Sequence, residues 1–140
     1  MTMPIDDFLE EAQIPADALT NRAVYIRVVR RGIPGTAVKV GAKLISRSLF
    51  IRLFNTSSSN LNRFYRKKLL SPRDSEKVLD IFRVITQAIN LWGDRETAIE
   101  WLNTPIPALT ENKPVDLCDT FDGRNWVREV LRKIELGEYC

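Results

Sequence analysis

The chain has 140 residues, of which 44% are hydrophobic and 28% charged, enough for one compact unit or two very small ones. It contains no histidine, which excludes hydrolytic triads that need an imidazole base and zinc fingers that need an imidazole ligand. The sequence also lacks a phosphate-binding glycine loop, a Cys-x-x-Cys pair and an EF-hand pattern. We therefore expect no enzyme, no metal and no cofactor.

Hydropathy and cysteine usage bear on the compartment. No stretch has the eighteen or so uncharged apolar residues of a membrane span, and the acidic start is unlike the basic start of a signal peptide. The two cysteines, Cys118 and Cys140, do not make a disulfide framework. We expect a cytoplasmic protein, with a small core thiol at Cys118 and a free thiol at Cys140.

The net charge of +3 is sharply segregated along the chain. Residues 1–17 carry five acids and no base, residues 18–73 carry thirteen bases and no acid, and residues 74–140 carry eight bases and thirteen acids. A segment without carboxylates cannot neutralise its own field, so it should attract a polyanion such as nucleic acid. The alternative is a solvated basic face that the acidic remainder compensates.

These charge boundaries also divide the predicted elements. An acidic leader over 1–17 has one apolar helical face and either packs on the domain or frays; the face comprises Ile5, Phe8, Leu9 and Ala12. The apolar run over 21–31 is predicted to be a helix rather than a strand, because no second run of that kind exists to pair with it. Pro34 is placed in the first turn of the next helix, within which Gly41 either weakens the helix or marks a close contact.

Residues 48–67 have the order of a helix-turn-helix. The apolar face of the first helix comprises Leu49, Phe50, Leu53 and Phe54. Asn55 suits a left-handed helix end, and Ser57 suits the cap of a second helix. The short polar side chains of this second helix could approach base edges, and its cationic side chains could reach phosphate groups. The candidate DNA-binding residues are Ser57, Ser58, Ser59, Asn60, Asn62, Arg63, Arg66 and Lys67; the alternative is an ordinary surface helix.

A long helix is predicted from Ser71-Pro72, a cap followed by proline, to about Leu91, with Gly93 ending it. Its apolar residues extend well beyond one stripe. The helix is therefore either the central core helix or a core helix that also contacts a second subunit, and periodicity does not decide between them. The candidate dimer residues are Leu79, Phe82, Val84 and Leu91.

The C-terminal third combines two capped helices with a proline-rich loop. Asp94 is predicted to cap a helix over 95–103, and Pro105 and Pro107 to hold Ile106, Ala108 and Leu109 extended without helical support. Thr120 is predicted to cap the last helix, with Gly123 against a close neighbour and Gly137 at the end. Trp101 and Trp126 are either core or interface residues.

The spacing in this third resembles the toxin-binding domain of the Xre/MbcA/ParS antitoxins. The resemblance rests on Trp101-Leu102, Pro105-x-Pro-Ala-Leu109, Pro114-x-Asp116-Leu117, Thr120-x-x-Gly123, Val127, Leu131, Ile134-Glu135 and Gly137-x-Tyr139. Upstream, Leu61, Arg63 and Leu70-Ser71-Pro72 also match the family pattern, whereas Thr56, Asn60 and Phe64 depart from it.

The resemblance implies an all-α protein, in which a basic Xre-like helix-turn-helix domain over 18–73 is joined by the long apolar helix to a toxin-binding domain over 74–140. It further implies a type II antitoxin that neutralises a RES-domain, NAD-consuming toxin, forms a homodimer and represses its own operon by binding operator DNA. The tail is expected in or near the toxin's cleft. The candidate toxin-binding residues are Trp101, Leu109, Arg124, Arg128, Glu135, Gly137, Glu138, Tyr139 and Cys140.

Two alternatives stay open at this point. The chain could be a stand-alone helix-turn-helix regulator whose C-terminal domain serves only dimerisation. It could also be an antitoxin whose basic domain no longer reads DNA, as the departures at Thr56, Asn60 and Phe64 allow.

Overall fold

The computed structural model describes residues 4–138, with side chains from residue 8, and in this range the chain is all-α, as predicted. The α-helices are α1 Pro4–Glu11, α2 Arg22–Arg31, α3 Thr36–Leu44, α4 Arg47–Leu53, α5 Ser58–Tyr65, α6 Pro72–Trp92, α7 Arg95–Leu102, α8 Pro114–Leu117 and α9 Phe121–Glu135. A 3-10 helix, Pro107–Leu109, lies between α7 and α8.

Helix α6 is the central element, because α1, α2, α3, α7 and α9 all pack against it. Its start follows the predicted chemistry: the Ser71 hydroxyl accepts a hydrogen bond from the Asp74 amide at 3.1 Å, and Pro72 opens the first turn. Gly93 ends it in the left-handed conformation, with φ of 70°. The predicted helix was therefore correct at both ends to within a residue.

The breadth of the apolar surface of α6 is explained within one subunit. Leu79, Phe82 and Val84, predicted to contact a second copy, are buried under neighbouring helices, and Leu91 is only partly buried. The interpretation of α6 as a core helix therefore holds for Leu79, Phe82 and Val84. The prediction assigned them to a dimer surface because periodicity shows that a face is apolar, not what covers it.

The acidic leader packs on the rest of the chain. Phe8, Leu9 and Ala12 of its predicted face are buried, and the Phe8 ring meets the Phe82 ring edge-on with 5.3 Å between centroids. The side chain of Ile5 lies outside the described residues. The buried side chains form one continuous cluster from Phe8 to Leu131, so α1 shares a core with the predicted toxin-binding region.

Two glycines, one before α3 and one within it, allow close approach of neighbouring residues. Helix α3 begins at Thr36 rather than at Pro34, and Gly35 precedes it with its amide bonded to the Lys67 carbonyl at 2.9 Å. At Gly41, the close contact is the correct alternative, since a Cβ there would meet the rings of Phe50 and Phe82. Bulkier residues at this point would separate α3 from its neighbours.

The proline-rich loop is more compact than predicted. Ile106 is extended and pairs with Asn112 in an isolated antiparallel bridge, but Ala108 and Leu109 lie in the 3-10 helix. The prediction of extended backbone there was wrong, because the fixed φ of Pro107 suits the first position of a helical turn as well as an extended strand. The turn buries Leu109 completely.

No helix of the described part of the chain is long and apolar enough to cross a membrane.

Candidate functional site

The helix end and the helix cap predicted within residues 48–67 are present in the structure. Helix α4 ends before Asn55, which has φ of 50°, and the Ser57 hydroxyl accepts a hydrogen bond from the Asn60 amide at 3.1 Å to cap α5. Leu61 is fully buried and holds α5 on the core. The order of helix, turn and helix is therefore present, whereas DNA binding by it stays a prediction.

All eight predicted DNA-binding residues are exposed, but they are not equally available for contact. The Ser57 hydroxyl caps α5 and lies 3.2 Å from the Ser59 hydroxyl, while the Ser58 hydroxyl accepts from Arg47 at 3.2 Å. Lys67 lies over the ring of Phe64, 4.7 Å from its centroid. The side chains that make no polar contact with other described residues are Asn60, Asn62, Arg63 and Arg66.

Arg47 joins the two helices of this segment and was not singled out from the sequence. Its guanidinium donates to the Tyr65 hydroxyl at 2.8 Å and to the Ser58 carbonyl at 2.5 Å, so it contacts both ends of α5 from the first residue of α4. Phe64, which departs from the family pattern, stacks on Phe54 with 4.3 Å between ring centroids. These contacts fix the angle between α4 and α5.

A buried ion cluster connects α6 to α9. One carboxylate oxygen of Asp80 accepts from Arg124 Nε at 2.6 Å and from Arg128 Nη2 at 2.9 Å, and Arg124 also donates to the Cys118 carbonyl at 2.9 Å. Asp80 is 8% exposed and Arg124 is 5% exposed. Burial alone would raise the pKa of the Asp80 carboxyl, but the hydrogen bonds and charges of Arg128 and Arg124 hold that pKa below its ordinary value.

This cluster corrects the exposure predicted for two of the candidate toxin-binding residues. Arg124 was expected to be exposed, yet it is buried because it neutralises Asp80, and Arg128 is half-buried for the same reason. The sequence carried a signal for this, since Asp80 is the one charge within the apolar run from Val78 to Phe82. A carboxylate flanked by buried residues needs a cationic partner, although the partner cannot be identified from local sequence.

The other large side chains of the C-terminal third are mostly core elements. Leu109 is fully buried, and Trp101 is half-buried, with its ring 5.2 Å from that of Trp92. Trp126 is half-buried and packs against the core cluster. Cys118 is buried as predicted, and burial raises the pKa of its thiol to about 12.

Helix α9 begins as predicted and ends in an exposed segment. The Thr120 hydroxyl accepts from the Gly123 amide at 2.9 Å, and a Cβ at Gly123 would collide with the Leu117 carbonyl. At the other end, Glu135, Gly137 and Glu138 are all exposed. Leu136 beside them is 64% exposed. Tyr139 and Cys140 lie outside the described residues.

A small charged cleft, which the sequence did not reveal, lies where α2, α6 and α9 meet. It encloses about 310 Å³. The guanidinium of Arg83 stacks on the Tyr25 ring, 3.4 Å from its centroid. The lining residues are Tyr25, Arg73, Glu76, Lys77, Asp80, Arg83, Phe121 and Arg124.

A protein-family model matches the C-terminal third of the chain. Residues 87–137 match the family model described as the antitoxin Xre/MbcA/ParS C-terminal toxin-binding domain. The predicted resemblance to the Xre/MbcA/ParS antitoxins is confirmed.

Two curated antitoxins are similar to the chain. One is the Prs ADP-ribosylating antitoxin of Sphingobium sp., which is 25% identical over 127 residues, or 82% of this chain and 80% of that protein. The other is Antitoxin Xre of Yersinia enterocolitica, which is 33% identical over 70 residues, about half of each protein. The chain is thus similar to antitoxins beyond the Xre/MbcA/ParS domain itself.

The matched Xre/MbcA/ParS region does not coincide with one structural unit. It begins at residue 87, inside α6, and extends through α7, α8 and α9 to Gly137. Asp80, which neutralises Arg124 of the matched region, lies outside it. The fold of the matched region therefore depends on residues that precede it.

Proposed function

We propose that the chain is the antitoxin of a type II toxin–antitoxin pair that binds and neutralises a RES-domain, NAD-consuming toxin through residues 74–140. The observation that carries this proposal is the match of residues 87–137 to a toxin-binding domain. The exposed end of α9, with Glu135, Gly137 and Glu138, supplies the contact region, and its exposed Leu136 adds an apolar side chain.

In the same proposal, residues 18–73 bind operator DNA and repress the operon. Thirteen bases without an acid support an electrostatic contact with phosphate. Asn60, Asn62 and Arg63 are exposed on α5, and Arg66 is exposed directly after it. A homodimer would present two copies of α5 to a palindromic operator, with half-sites one or a few helical turns apart. The buried residues of α6 are no longer part of the proposed dimer surface.

Co-expression with the product of the adjacent gene tests the toxin half. We expect the two proteins to copurify, and the chain to rescue growth of cells that express the neighbour. Deletion of residues 137–140 should abolish rescue if the end of α9 reaches the toxin's cleft, while Leu69→Ala, at an exposed apolar site outside the matched region, should leave rescue intact. Full rescue by the truncated chain would exclude that role for the tail.

A stand-alone DNA-binding regulator is the second candidate, and the segregated positive charge of residues 18–73 is the observation in its favour. It predicts specific operator binding without any copurifying neighbour. A chain that rescues growth but does not bind its operator would instead be an antitoxin whose basic domain serves assembly or solubility.

A further inference from the structure

The cleft between α2, α6 and α9 is not used by the contacts proposed above. Phe121 stands at its rim and is 67% exposed, the most exposed of the large hydrophobic side chains in the described part of the chain. Its backbone is well fixed, because the Thr120 cap precedes it and the close contact of Gly123 with Leu117 follows it. An exposed aromatic side chain on a rigid helix start is therefore presented to solvent.

The charges of the cleft leave a positive excess. Asp80 is already neutralised by Arg124 and Arg128. Glu76 is then the one remaining acid, beside Arg73, Lys77 and Arg83, and these three make no ion pair with another described residue. The cleft therefore presents to a ligand three cationic side chains that are unpaired among the described residues.

Arg83 is also held in place before any ligand arrives. Its guanidinium stacks on the ring of Tyr25, which is itself buried, so the side chain gives up less rotational freedom on binding than a freely solvated arginine. A fixed arginine beside an exposed aromatic ring has the composition of an interface hot spot.

The chemistry favours a protein segment over nucleic acid. A phosphate backbone could pair with the cations of the cleft, but it gives no apolar partner to the exposed ring of Phe121. A volume of about 310 Å³ accommodates a few side chains. An acidic side chain with a neighbouring apolar patch satisfies both parts of the site.

We propose that this cleft is a second docking point for the toxin, at which Phe121 enters an apolar depression and Arg73, Lys77 and Arg83 bind an acidic segment of the partner. The inference rests on the proposed function and adds a contact to it. Phe121 and the exposed end of α9 are about 20 Å apart, at roughly 1.5 Å per residue. One interface of ordinary size, about 800 Å² on each partner, covers both.

Capture by the toxin tests this proposal. The adjacent gene product, carrying a tag, is held at limiting concentration and incubated with wild-type chain or one variant in separate samples, and mass spectrometry measures the ratio of captured chain to tagged protein. We expect Phe121→Ala, and separately the pair Arg73→Glu with Lys77→Glu, to lower their captured ratio about tenfold or more. All substituted positions are exposed or half-buried, and thermal unfolding checks that each variant is folded.

Matched controls separate the cleft from general effects. Leu69→Ala removes another exposed apolar side chain, and Lys39→Glu with Lys43→Glu reverses two exposed charges on α3; both should be captured within about twofold of wild type. Equal capture of the cleft variants and wild type would overturn this inference alone. If wild-type chain is not captured at all, the proposed function fails and the inference with it. Loss of duplex DNA binding with intact capture would make the cleft a nucleic-acid surface and overturn the proposal.

Discussion

The arginines around α5 and those of α9 are used in opposite ways. Arg63 of α5 and Arg66 directly after it are exposed and make no polar contact with other described residues. Arg124 and Arg128 of α9 instead converge on one carboxylate of α6. The positive charges of Arg63 and Arg66 are therefore available to a partner. Those of Arg124 and Arg128 are instead paired with Asp80, which joins α9 to α6. Counting basic residues therefore predicts a binding surface only where no acid lies within reach.

The same difference appears in the apolar surface. At the α5 end the aromatic residues are used internally, as Phe54 and Phe64 stack on each other. At the α9 end, Phe121 and Leu136 are more than 60% exposed. In the proposed function, the region around α5 contacts a polyanion and α9 contacts a protein, and this difference in exposed apolar surface supports that assignment.

Removing the acid of the buried cluster should give the largest effect. Asp80→Asn leaves Arg124 buried without a counter-charge, so we expect the free energy of unfolding in urea to fall by about 3–5 kcal/mol. The matched control is Asp116→Asn, because Asp116 pairs with Arg52 at 3.7 Å with both side chains exposed. That change should cost less than about 1 kcal/mol. Similar losses in the two variants would show that burial does not distinguish the pairs.

Lowering the pH should also weaken the ion cluster around Asp80, because it protonates the Asp80 carboxylate. Because the pKa of Asp80 is lower in the folded chain than its ordinary value, its contribution is present above about pH 4 and is lost as the pH falls through the folded pKa. Hydrogen bonds from Thr97 lower the pKa of Asp94 in the same direction. The urea midpoint measured from neutral pH downward should therefore fall more steeply in wild type than in Asp80→Asn. Parallel curves would contradict the assignment.

Ser57 allows capping and DNA contact to be separated. Ser57→Ala should destabilise the chain by about 1 kcal/mol, because it removes the acceptor for the Asn60 amide. Ser57→Asp keeps a capping oxygen, so stability should be retained while the added negative charge weakens operator binding. Equal operator affinity of Ser57→Asp and wild type would place the DNA elsewhere.

The smallest expected effect concerns single phosphate contacts. Arg66→Ala should reduce the slope of log affinity against log salt by about one, which changes the affinity ratio about fourfold between 50 and 200 mM salt. Arg132→Ala removes an exposed base on α9 instead and should leave the slope unchanged. Equal slopes for Arg66→Ala and wild type in operator-binding titrations would remove Arg66 from the proposed surface.

Features determined by neighbouring residues could be predicted from the sequence. The caps at Ser57, Ser71, Asp94 and Thr120 and the left-handed Asn55 were correct, because each depends on a few residues of local chain. What covers α6, and which arginines serve Asp80, could not be predicted, since Asp80 and Arg124 are 44 residues apart. The charged cleft was missed for the same reason: three separate helices contribute to it.

The position of Asp80 limits how the protein can be divided. A fragment limited to residues 87–137 would cut α6 within its length and leave Arg124 without its carboxylate. Grafting that fragment onto an unrelated DNA-binding domain should therefore give an aggregating product, whereas a chimera that retains α6 from Pro72 onward keeps the ion cluster. In the divergence of such proteins, α6 and α9 are consequently expected to be inherited as one unit, and specificity for a toxin to change by substitution at the surface.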